Sequence, residues 1–442
     1  MNTVSLNENI SYARNMTEKL KDSRLKDKFI KHLPFLTRPV THKEDWFFAC
    51  LFGALHALIV TLIYHHVPEP YMDEIFHIGQ TRRYCEGNYT WDPMITTPPA
   101  LYVLAVPFCN GYERYVNSLL YILLFVYASR FRRMFLKDNV SSTVMAVVLL
   151  PVLLHSSVLF YTDLLSLVFV VAGFSIHSRF FASIAFLLAC FTRQTNIVWA
   201  GLYALVRIYH HFDSRSPVRS FLRSVFKLWS FVVLALLFLA FVYINKGIVL
   251  GDPSAHEPKL HFAQFFYFLL FCALHAWPNV FRNLSGLLQE SMKPLALLSL
   301  GVIVPVINYF SFDHPYLLAD NRHVPFYLWR WWLSNPLKRI ALAPVYMISF
   351  VFLQRLSSHI PLLVRVLFCL CTLAVVVPAH LIEPRYFIIP YTLWRLSARS
   401  LKPLSVIEVL SQLFVFASLL YLFIFKPFEW SHTPGVKQRF MW

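Results

Sequence analysis

The chain has 442 residues and a formal net charge of +17, yet 57% of its residues are hydrophobic and only 14% are charged. Its mean hydropathy is +0.54, which excludes an ordinary soluble domain and makes a lipid bilayer the expected solvent. The positive charge therefore does not indicate a nucleic-acid partner. The composition predicts an integral membrane protein that crosses the bilayer many times.

Apolar runs recur along the whole chain. Some of them approach or reach the roughly 20 residues needed to cross about 30 Å of hydrocarbon: 46–64, 142–160, 164–176, 227–244, 295–310, 361–378 and 404–425. Shorter, aromatic-rich runs are also expected to span: 115–128, 180–191, 197–209, 265–278, 340–353 and 386–395. Together they predict an all-α polytopic fold with about 11 to 13 transmembrane helices.

Basic residues fall mainly in short segments between the apolar runs: 14–43, 130–133, 207–227 and 338–339. Lysine and arginine in short loops stay on the cytosolic side of a membrane. The pattern predicts a cytosolic N-terminus, and it places three longer polar loops, 67–113, 245–264 and 311–325, on the opposite side. Residues 354–355 and 395–402 give conflicting parities, so the side of the C-terminus stays open.

The predicted organisation is one membrane domain with two flanks. Residues 1–45 form a basic cytosolic segment, residues 46–430 form the membrane domain and residues 431–442 form a C-terminal tail. Cys85 and Cys109 lie in or beside the first loop, where a disulfide can form in an oxidising compartment. The remaining cysteines have no partners at zinc-site spacing, and we expect no metal site and no cofactor.

The first loop carries the strongest candidate site. Within Tyr71-Met72-Asp73-Glu74-Ile75-Phe76-His77, an acidic pair lies at a membrane boundary, where ionisable groups are costly and usually functional. We interpret Asp73 and Glu74 as a catalytic pair, and capping of a following helix is the alternative. His77 is four residues after Asp73 and shares its helical face, so it either positions the base or is an ordinary core histidine.

Two further residues of this loop are candidates for binding sugar. Trp91 lies in a polar segment, where its ring can stack on a sugar. Asp92 stands between Trp91 and Pro93, and it either binds the acceptor sugar or makes an Asx turn.

The second and third loops add candidates for substrate binding. The second loop contains Lys246, which is positively charged, and His256 and His261, which become positive when protonated. The third loop contains Asp320, Arg322 and His323.

Arginine supplies the candidates for binding a phosphate. Arg322 lies in the third loop, and Arg385 lies in a polar cluster near the C-terminal end. Both are candidates because a guanidinium group matches phosphate oxygens in a bidentate manner. The alternatives are local ion pairs, with Asp320 for Arg322 and with Glu383 for Arg385.

Carboxylates and cations together favour one kind of chemistry. Transfer of a sugar from a lipid phosphate needs a carboxylate base for the acceptor hydroxyl and cations for the departing phosphate. It needs no general acid, because a phosphate leaves without being protonated. A transporter would instead show a repeat with ionisable groups near mid-bilayer, and a non-enzymatic scaffold would need none of these clusters.

Six segments carry a resemblance to a known family. The chain resembles the dolichyl-phosphate-glucose-dependent α-1,2-glucosyltransferases of the endoplasmic reticulum, which belong to the GT-C superfamily. The resemblance covers most of the chain from about residue 46, and residues 1–45 fall outside it. It rests on these runs: Tyr71-Met72-Asp73-Glu74-Ile75-Phe76-His77, Trp91-Asp92-Pro93-Met94-Ile95-Thr96-Thr97, Phe191-Thr192-Arg193-Gln194-Thr195-Asn196, 245–252, Leu317-Leu318-Ala319-Asp320-Asn321-Arg322-His323 and Glu383-Pro384-Arg385-Tyr386-Phe387.

The resemblance implies a GT-C membrane fold whose acidic motif falls on Asp73 and Glu74. It implies a dolichyl-phosphate glucose donor, a di-glucosylated dolichyl-diphosphate-linked oligosaccharide as acceptor, and no metal requirement. A β-linked donor and an α-linked product imply inversion by one displacement, with the active site on the lumenal side of the endoplasmic reticulum membrane. The runner-up is a GT-C enzyme that uses another dolichyl-phosphate sugar, such as mannose.

Overall fold

The computed structural model describes residues 40–252 and 257–442. Within these ranges the chain is helical apart from loops and one small hairpin. The first eleven α-helices are α1 (Lys43–His66), α2 (Glu74–Cys85), α3 (Ala100–Ala105), α4 (Tyr115–Phe135), α5 (Val140–Val148), α6 (Pro151–Val158), α7 (Asp163–Ser175), α8 (Arg179–Cys190), α9 (Ile197–His211), α10 (Pro217–Lys227) and α11 (Trp229–Asn245).

The second half continues with helices that pack on the same core. They are α12 (Ala263–His275), α13 (Trp277–Arg282), α14 (Leu284–Ser291), α15 (Pro294–Tyr309), α16 (Pro315–Ala319), α17 (Val324–Leu328), α18 (Pro336–Ala341), α19 (Ala343–Leu356), α20 (Leu362–Val376), α21 (Ile388–Ser397) and α22 (Lys402–Phe425). The strands β1 (Phe428–Trp430) and β2 (Thr433–Gln438) pair antiparallel, with Phe428 opposite Gln438.

The all-α polytopic prediction is confirmed. Three segments are long and apolar enough to cross a bilayer: α1, the joined helices α18 and α19, and α22. Three bent pairs, α5 with α6, α10 with α11 and α14 with α15, raise this number to six if each pair is one span. Several other apolar runs form helices of 10–17 residues, shorter than a full span, so the count of about 11 to 13 spans stays a prediction.

Contacts between helix ends sort the loops onto two faces. On one face, the guanidinium group of Arg114 donates to the Val67 carbonyl at the end of α1. Also on this face, the backbone N–H of His261 donates to the Val377 carbonyl after α20. On the other face, Arg133 at the end of α4 forms an ion pair with Asp45 at the start of α1.

One contact on the second face brings together the two segments whose parities conflict in the sequence. The N–H of Arg399 donates to the carbonyl of Leu356, so residues 354–355 and 395–402 lie together. Lys338 and Arg339 begin the candidate span formed by α18 and α19, and residues 354–355 end it, so the two basic segments lie at opposite ends of that span. The ammonium group of Lys338 lies 5.8 Å from the centre of the Trp332 ring. A lysine held in an aromatic membrane-interface belt need not be cytosolic.

Residues 431–442 are more than a tail. The hydroxyl of Tyr71 accepts a hydrogen bond from the N–H of Arg439, which places the segment after the hairpin on the first-loop face. Met441 and Trp442 are 0% and 4% exposed. The C-terminal residues therefore belong to the packed core beside the first loop.

Candidate active site

Asp73 lies directly before α2, and its carboxylate is partly exposed. Its side chain is 44% exposed, and its Oδ2 accepts a hydrogen bond of 3.1 Å from Nη1 of Arg385. The surrounding protein disfavours the ionised form, but the charges of Arg385, His77 and His323 outweigh that effect and lower the pKa of Asp73 below its usual value. An ionised carboxylate that a substrate can reach is the form that a general base requires.

Arg385 is the cation that faces Asp73, and other groups fix its position. Its Nε lies 3.2 Å from Oε1 of Glu383, and its Nη1 lies 3.8 Å from Oδ2 of Asp163. The guanidinium carbon lies 4.9 Å from the centre of the Tyr161 ring. Burial opposes the charge, yet the carboxylates of Glu383, Asp73 and Asp163 raise the pKa of Arg385 well above its usual value. The group is a permanent, oriented positive charge.

A second arginine extends this arrangement. Nη2 of Arg193 lies 3.0 Å from Oδ1 of Asp163. Asp163 therefore lies between Arg193 and Arg385, and charges alternate in the order Asp73, Arg385, Asp163 and Arg193. Nε of Arg193 also donates to Oγ1 of Thr162 at 3.0 Å. Sequence analysis identified Asp73 and Arg385 separately and did not predict the row that joins them to Asp163 and Arg193.

Glu74 has a different environment from its neighbour. The residue is 0% exposed, and its carboxylate receives Nε and Nη2 of Arg114 at 2.8 and 2.7 Å. The backbone N–H groups of Phe160 and Tyr71 also donate to it, at 2.6 and 3.0 Å. The prediction of a catalytic pair requires correction on this point, because a fully bonded, inaccessible carboxylate cannot accept a substrate proton.

His77 lies on the same side of α2 as Asp73. Its Nδ1 is 2.8 Å from the hydroxyl of Tyr102, whose oxygen is 3.0 Å from Oγ1 of Thr97. Burial is the main cause that lowers the pKa of His77 to about 4, and the nearby cations Arg385 and Arg193 add to it against the opposing effect of Asp73. The ring is therefore neutral near pH 7, and it can donate or accept a hydrogen bond beside the base.

The side chains of Trp91 and Asp92 form hydrogen bonds within the first loop. Nε1 of Trp91 donates to the carbonyl of Ile95 at 3.3 Å. Oδ1 of Asp92 accepts from the N–H of Met94 at 3.0 Å, which is the Asx turn that the sequence allowed. Oδ2 of Asp92 lies 3.6 Å from Nη2 of Arg83. These contacts favour the structural alternative for Asp92 over binding of the acceptor.

The second loop packs on this turn. Gly251 has a φ of +63°, and a Cβ there would lie 2.3 Å from the carbonyl oxygen of Pro93, so the contact requires glycine. The N–H of Asp252 donates to the same carbonyl at 2.8 Å. Lys246 follows α11 with a φ of 57° and is exposed. The candidate His256 lies outside the described residues.

His261 is a structural residue. It is 0% exposed, its Nδ1 lies 3.1 Å from the carbonyl of His380, and its Nε2 accepts from the N–H of Phe312 at 3.3 Å. Burial lowers the pKa of His261 to about 4. The two ring nitrogens join the second loop to the segment after α20 and to the third loop, so the prediction of substrate binding is not supported by the geometry.

Arg322 and Asp320 form the local pair that was the alternative to phosphate binding. Nε and Nη2 of Arg322 donate to the two oxygens of Asp320, each at 2.8 Å. Nη1 of Arg322 donates to Oε1 of Gln438 at 2.8 Å. Nε2 of His323 lies 3.6 Å from Oδ2 of Asp320. This cluster shapes the third loop and attaches it to β2.

Cys85 and Cys109, for which the sequence left a disulfide open, are bonded, with their Cα atoms 6.4 Å apart. It joins the end of α2 to the segment before α4. Within residues 40–252 and 257–442, no three His, Cys, Asp or Glu side chains come together as a possible metal site.

The fold and the site define an integral membrane protein with a polar cluster in which the partly exposed carboxylate of Asp73 faces the guanidinium group of Arg385. The chain belongs to the DIE2/ALG10 family, whose family model matches residues 67–224 and 211–396.

Curated relatives carry one common name, Dol-P-Glc:Glc(2)Man(9)GlcNAc(2)-PP-Dol alpha-1,2-glucosyltransferase. A Homo sapiens relative is 33% identical over 85% of this chain and 93% of its own length. An Arabidopsis thaliana relative is 32% identical over 86% of this chain and 96% of its own. A Yarrowia lipolytica relative is 29% identical over 85% and 93%. No solved structure matches the chain.

Proposed function

We propose that this protein transfers glucose from dolichyl-phosphate glucose to the 2-hydroxyl of the outer glucose of a di-glucosylated, dolichyl-diphosphate-linked oligosaccharide. The names of the relatives support the substrates. The observation that carries the chemistry is the accessible Asp73 carboxylate held 3.1 Å from Arg385.

The proposed reaction is a single displacement. Asp73 accepts the proton of the acceptor 2-hydroxyl as the hydroxyl oxygen attacks the anomeric carbon of glucose from the face opposite the phosphate. The bond between that carbon and the phosphate oxygen breaks, and its electron pair leaves with dolichyl phosphate, which needs no proton. Attack from the opposite face inverts the β-linkage of the donor into the α-linkage of the product.

Positive charge assists the departing phosphate. We assign this role to Arg385, which faces Asp73, and to Arg193, which shares Asp163 with it, because preoriented charge is effective where water is excluded. Lys246 is an exposed cation at the start of the second loop. We assign it to the phosphate end of the donor. The neutral His77 lies beside Asp73 and is assigned to orienting a sugar hydroxyl. All of these groups are protein side chains, so the proposal includes no metal and no cofactor.

Purified protein should therefore extend the acceptor by one α-1,2-linked glucose in detergent, with synthetic dolichyl-phosphate glucose as donor, and should continue to do so in excess EDTA. Linkage analysis of the product by mass spectrometry and glucosidase digestion measures the result. Strict dependence on added Mg²⁺ or Mn²⁺ would contradict the metal-free reaction.

Dolichyl-phosphate mannose is the matched donor for the runner-up function. It tests the same pocket with a sugar that differs only in the orientation of the 2-hydroxyl. Extension with mannose and not glucose would replace the proposed function by that of a mannosyltransferase. Transfer of neither sugar would remove the transferase proposal altogether.

We also propose that the pocket faces the lumen of the endoplasmic reticulum and that the N-terminus is cytosolic. The support is charge: the basic run 130–133 ends α4 on the face opposite Asp73. Two exposed aspartates, Asp313 in the third loop and Asp138 after α4, provide a matched pair of probes.

In sealed microsomes, an impermeant thiol reagent should label Asp138→Cys directly and Asp313→Cys only after the membrane is opened. Mass-tagging of the thiols on gels measures both. The reverse pattern would place the pocket in the cytosol.

A further inference from the structure

The segment that follows the hairpin is attached to three parts of the active-site face. The Tyr71 hydroxyl in the first loop accepts from the N–H of Arg439 at 2.8 Å. The Arg439 guanidinium group donates to the Phe423 carbonyl near the end of α22 at 2.7 Å. The N–H of Met441 donates to the carbonyl of Arg322 in the third loop at 2.7 Å. These bonds bring the next residue, Trp442, to a defined place.

Trp442 occupies the space behind Arg385. Its indole Nε1 donates to Oε1 of Glu383 at 2.7 Å, and the same oxygen lies 3.2 Å from Nε of Arg385. The guanidinium carbon of Arg385 lies 5.4 Å from the centre of the indole ring, and the Tyr161 ring lies 5.9 Å from it at a steep angle. Trp442 thus contacts both Arg385 and the carboxylate that orients it.

We propose that Trp442 is a positioning residue: its indole N–H fixes the Glu383 carboxylate, and Glu383 and the indole ring together direct the Arg385 guanidinium group to Asp73. The catalytic meaning of this contact rests on the proposed function, since it assumes that Asp73 is the base. Trp442 itself does not touch the reacting atoms.

The need for such a residue follows from the position of Arg385 among three carboxylates. Its Nη1 lies 3.1 Å from Asp73 and 3.8 Å from Asp163, so a small rotation would exchange one partner for the other. Oε1 of Glu383 lies 3.2 Å from Nε at the opposite edge of the guanidinium plane and restrains it by charge, without a hydrogen bond. Loss of the indole N–H frees Glu383 to rotate and removes that restraint.

Trp442→Phe keeps an aromatic ring against Arg385 but removes the N–H, so turnover should fall by about 10- to 100-fold, the effect expected of a small misplacement in an active site. Asp73 loses part of the stabilisation of its ionised form, so its pKa rises and the acid limb of the kcat profile moves to higher pH. Initial rates measured from pH 4 to 8 give both quantities.

Trp430→Phe is the matched control. Nε1 of Trp430 donates to Oδ1 of Asn321 at 2.8 Å, and its ring lies over Arg322. The Trp430→Phe change therefore removes an equivalent indole bond from the neighbouring hairpin without touching Arg385. Its acid limb should stay at the wild-type pH. Wild-type turnover and an unmoved acid limb in Trp442→Phe would overturn the proposal.

A double-mutant cycle tests the contact without any enzymatic assay. The melting temperatures of Trp442→Phe, Glu383→Ala and the double variant are measured in detergent, and the two losses should be clearly non-additive because the residues share a buried hydrogen bond. Strictly additive losses would refute the contact. If the wild-type protein transfers no glucose, the proposed function fails, and the cycle still decides whether Trp442 holds Glu383.

Discussion

Replacing Asp73 with asparagine should lower the turnover of glucose transfer by about 10²–10⁴-fold, the usual effect of losing a general base. An amide has nearly the same size, so the Asp73→Asn side chain still accepts a hydrogen bond from Arg385 but cannot take the proton of the acceptor hydroxyl. The KM values for donor and acceptor should change much less than kcat. Steady-state rates with both substrates varied separate these effects.

Asp313→Asn is the matched control for this change. Asp313 is an exposed carboxylate of the third loop, and its replacement alters the formal charge of the same face by the same amount. Turnover close to that of the wild type is expected for it. Full activity of Asp73→Asn would eliminate Asp73 as the base and, with it, the proposed mechanism.

The pH dependence of the wild-type enzyme follows from the same residue. Asp73 acts only when ionised, and the neighbouring cations lower its pKa below the usual value. Activity should therefore persist into mildly acidic solution and fall only as the pH drops through that lowered pKa. Removing the cation, as in Arg385→Gln, should move the fall to higher pH.

The membrane class of this protein was predictable because it depends on local properties. Runs such as 46–64 and 404–425 became α1 and α22, since about 20 apolar residues must satisfy their backbone within a helix in lipid. Shorter runs were less informative. The run 142–160 became two helices bent by 59°, and Pro151 begins the second of them.

The site was predictable only in part because its contacts join distant segments. Asp73 and Arg385 were each recognised, but they are separated by 312 residues, and no local pattern indicates that they touch. Asp73 and Glu74 are adjacent and chemically similar, so only their surroundings distinguish an accessible carboxylate from a buried one. Trp442 carried no recognisable signal, since a single tryptophan near the end of a polar segment is common.

Glu74→Gln should instead reduce the stability of the folded protein, by about 3–5 kcal/mol in free energy of unfolding, as when one partner of a buried ion pair is removed. Glu74 and Arg114 are both 0% exposed, so the change leaves the Arg114 guanidinium group charged in a dry environment. Chemical denaturation in detergent, followed by tryptophan fluorescence, measures the loss.

Glu290→Gln is the matched control, because Glu290 forms an ion pair with Arg355 in which the side chains are 37% and 36% exposed. Water screens such a pair, and its removal should cost less than about 1 kcal/mol.

The stability and activity of Glu74→Gln also decide which of the two adjacent acidic residues is the base. A Glu74→Gln variant that is as stable as the wild type but inactive would transfer the role of base from Asp73 to Glu74. A destabilised variant that regains activity at low temperature would give Glu74 a structural role. In that role its carboxylate holds the backbone N–H groups of Tyr71 and Phe160 and so fixes the position of Asp73.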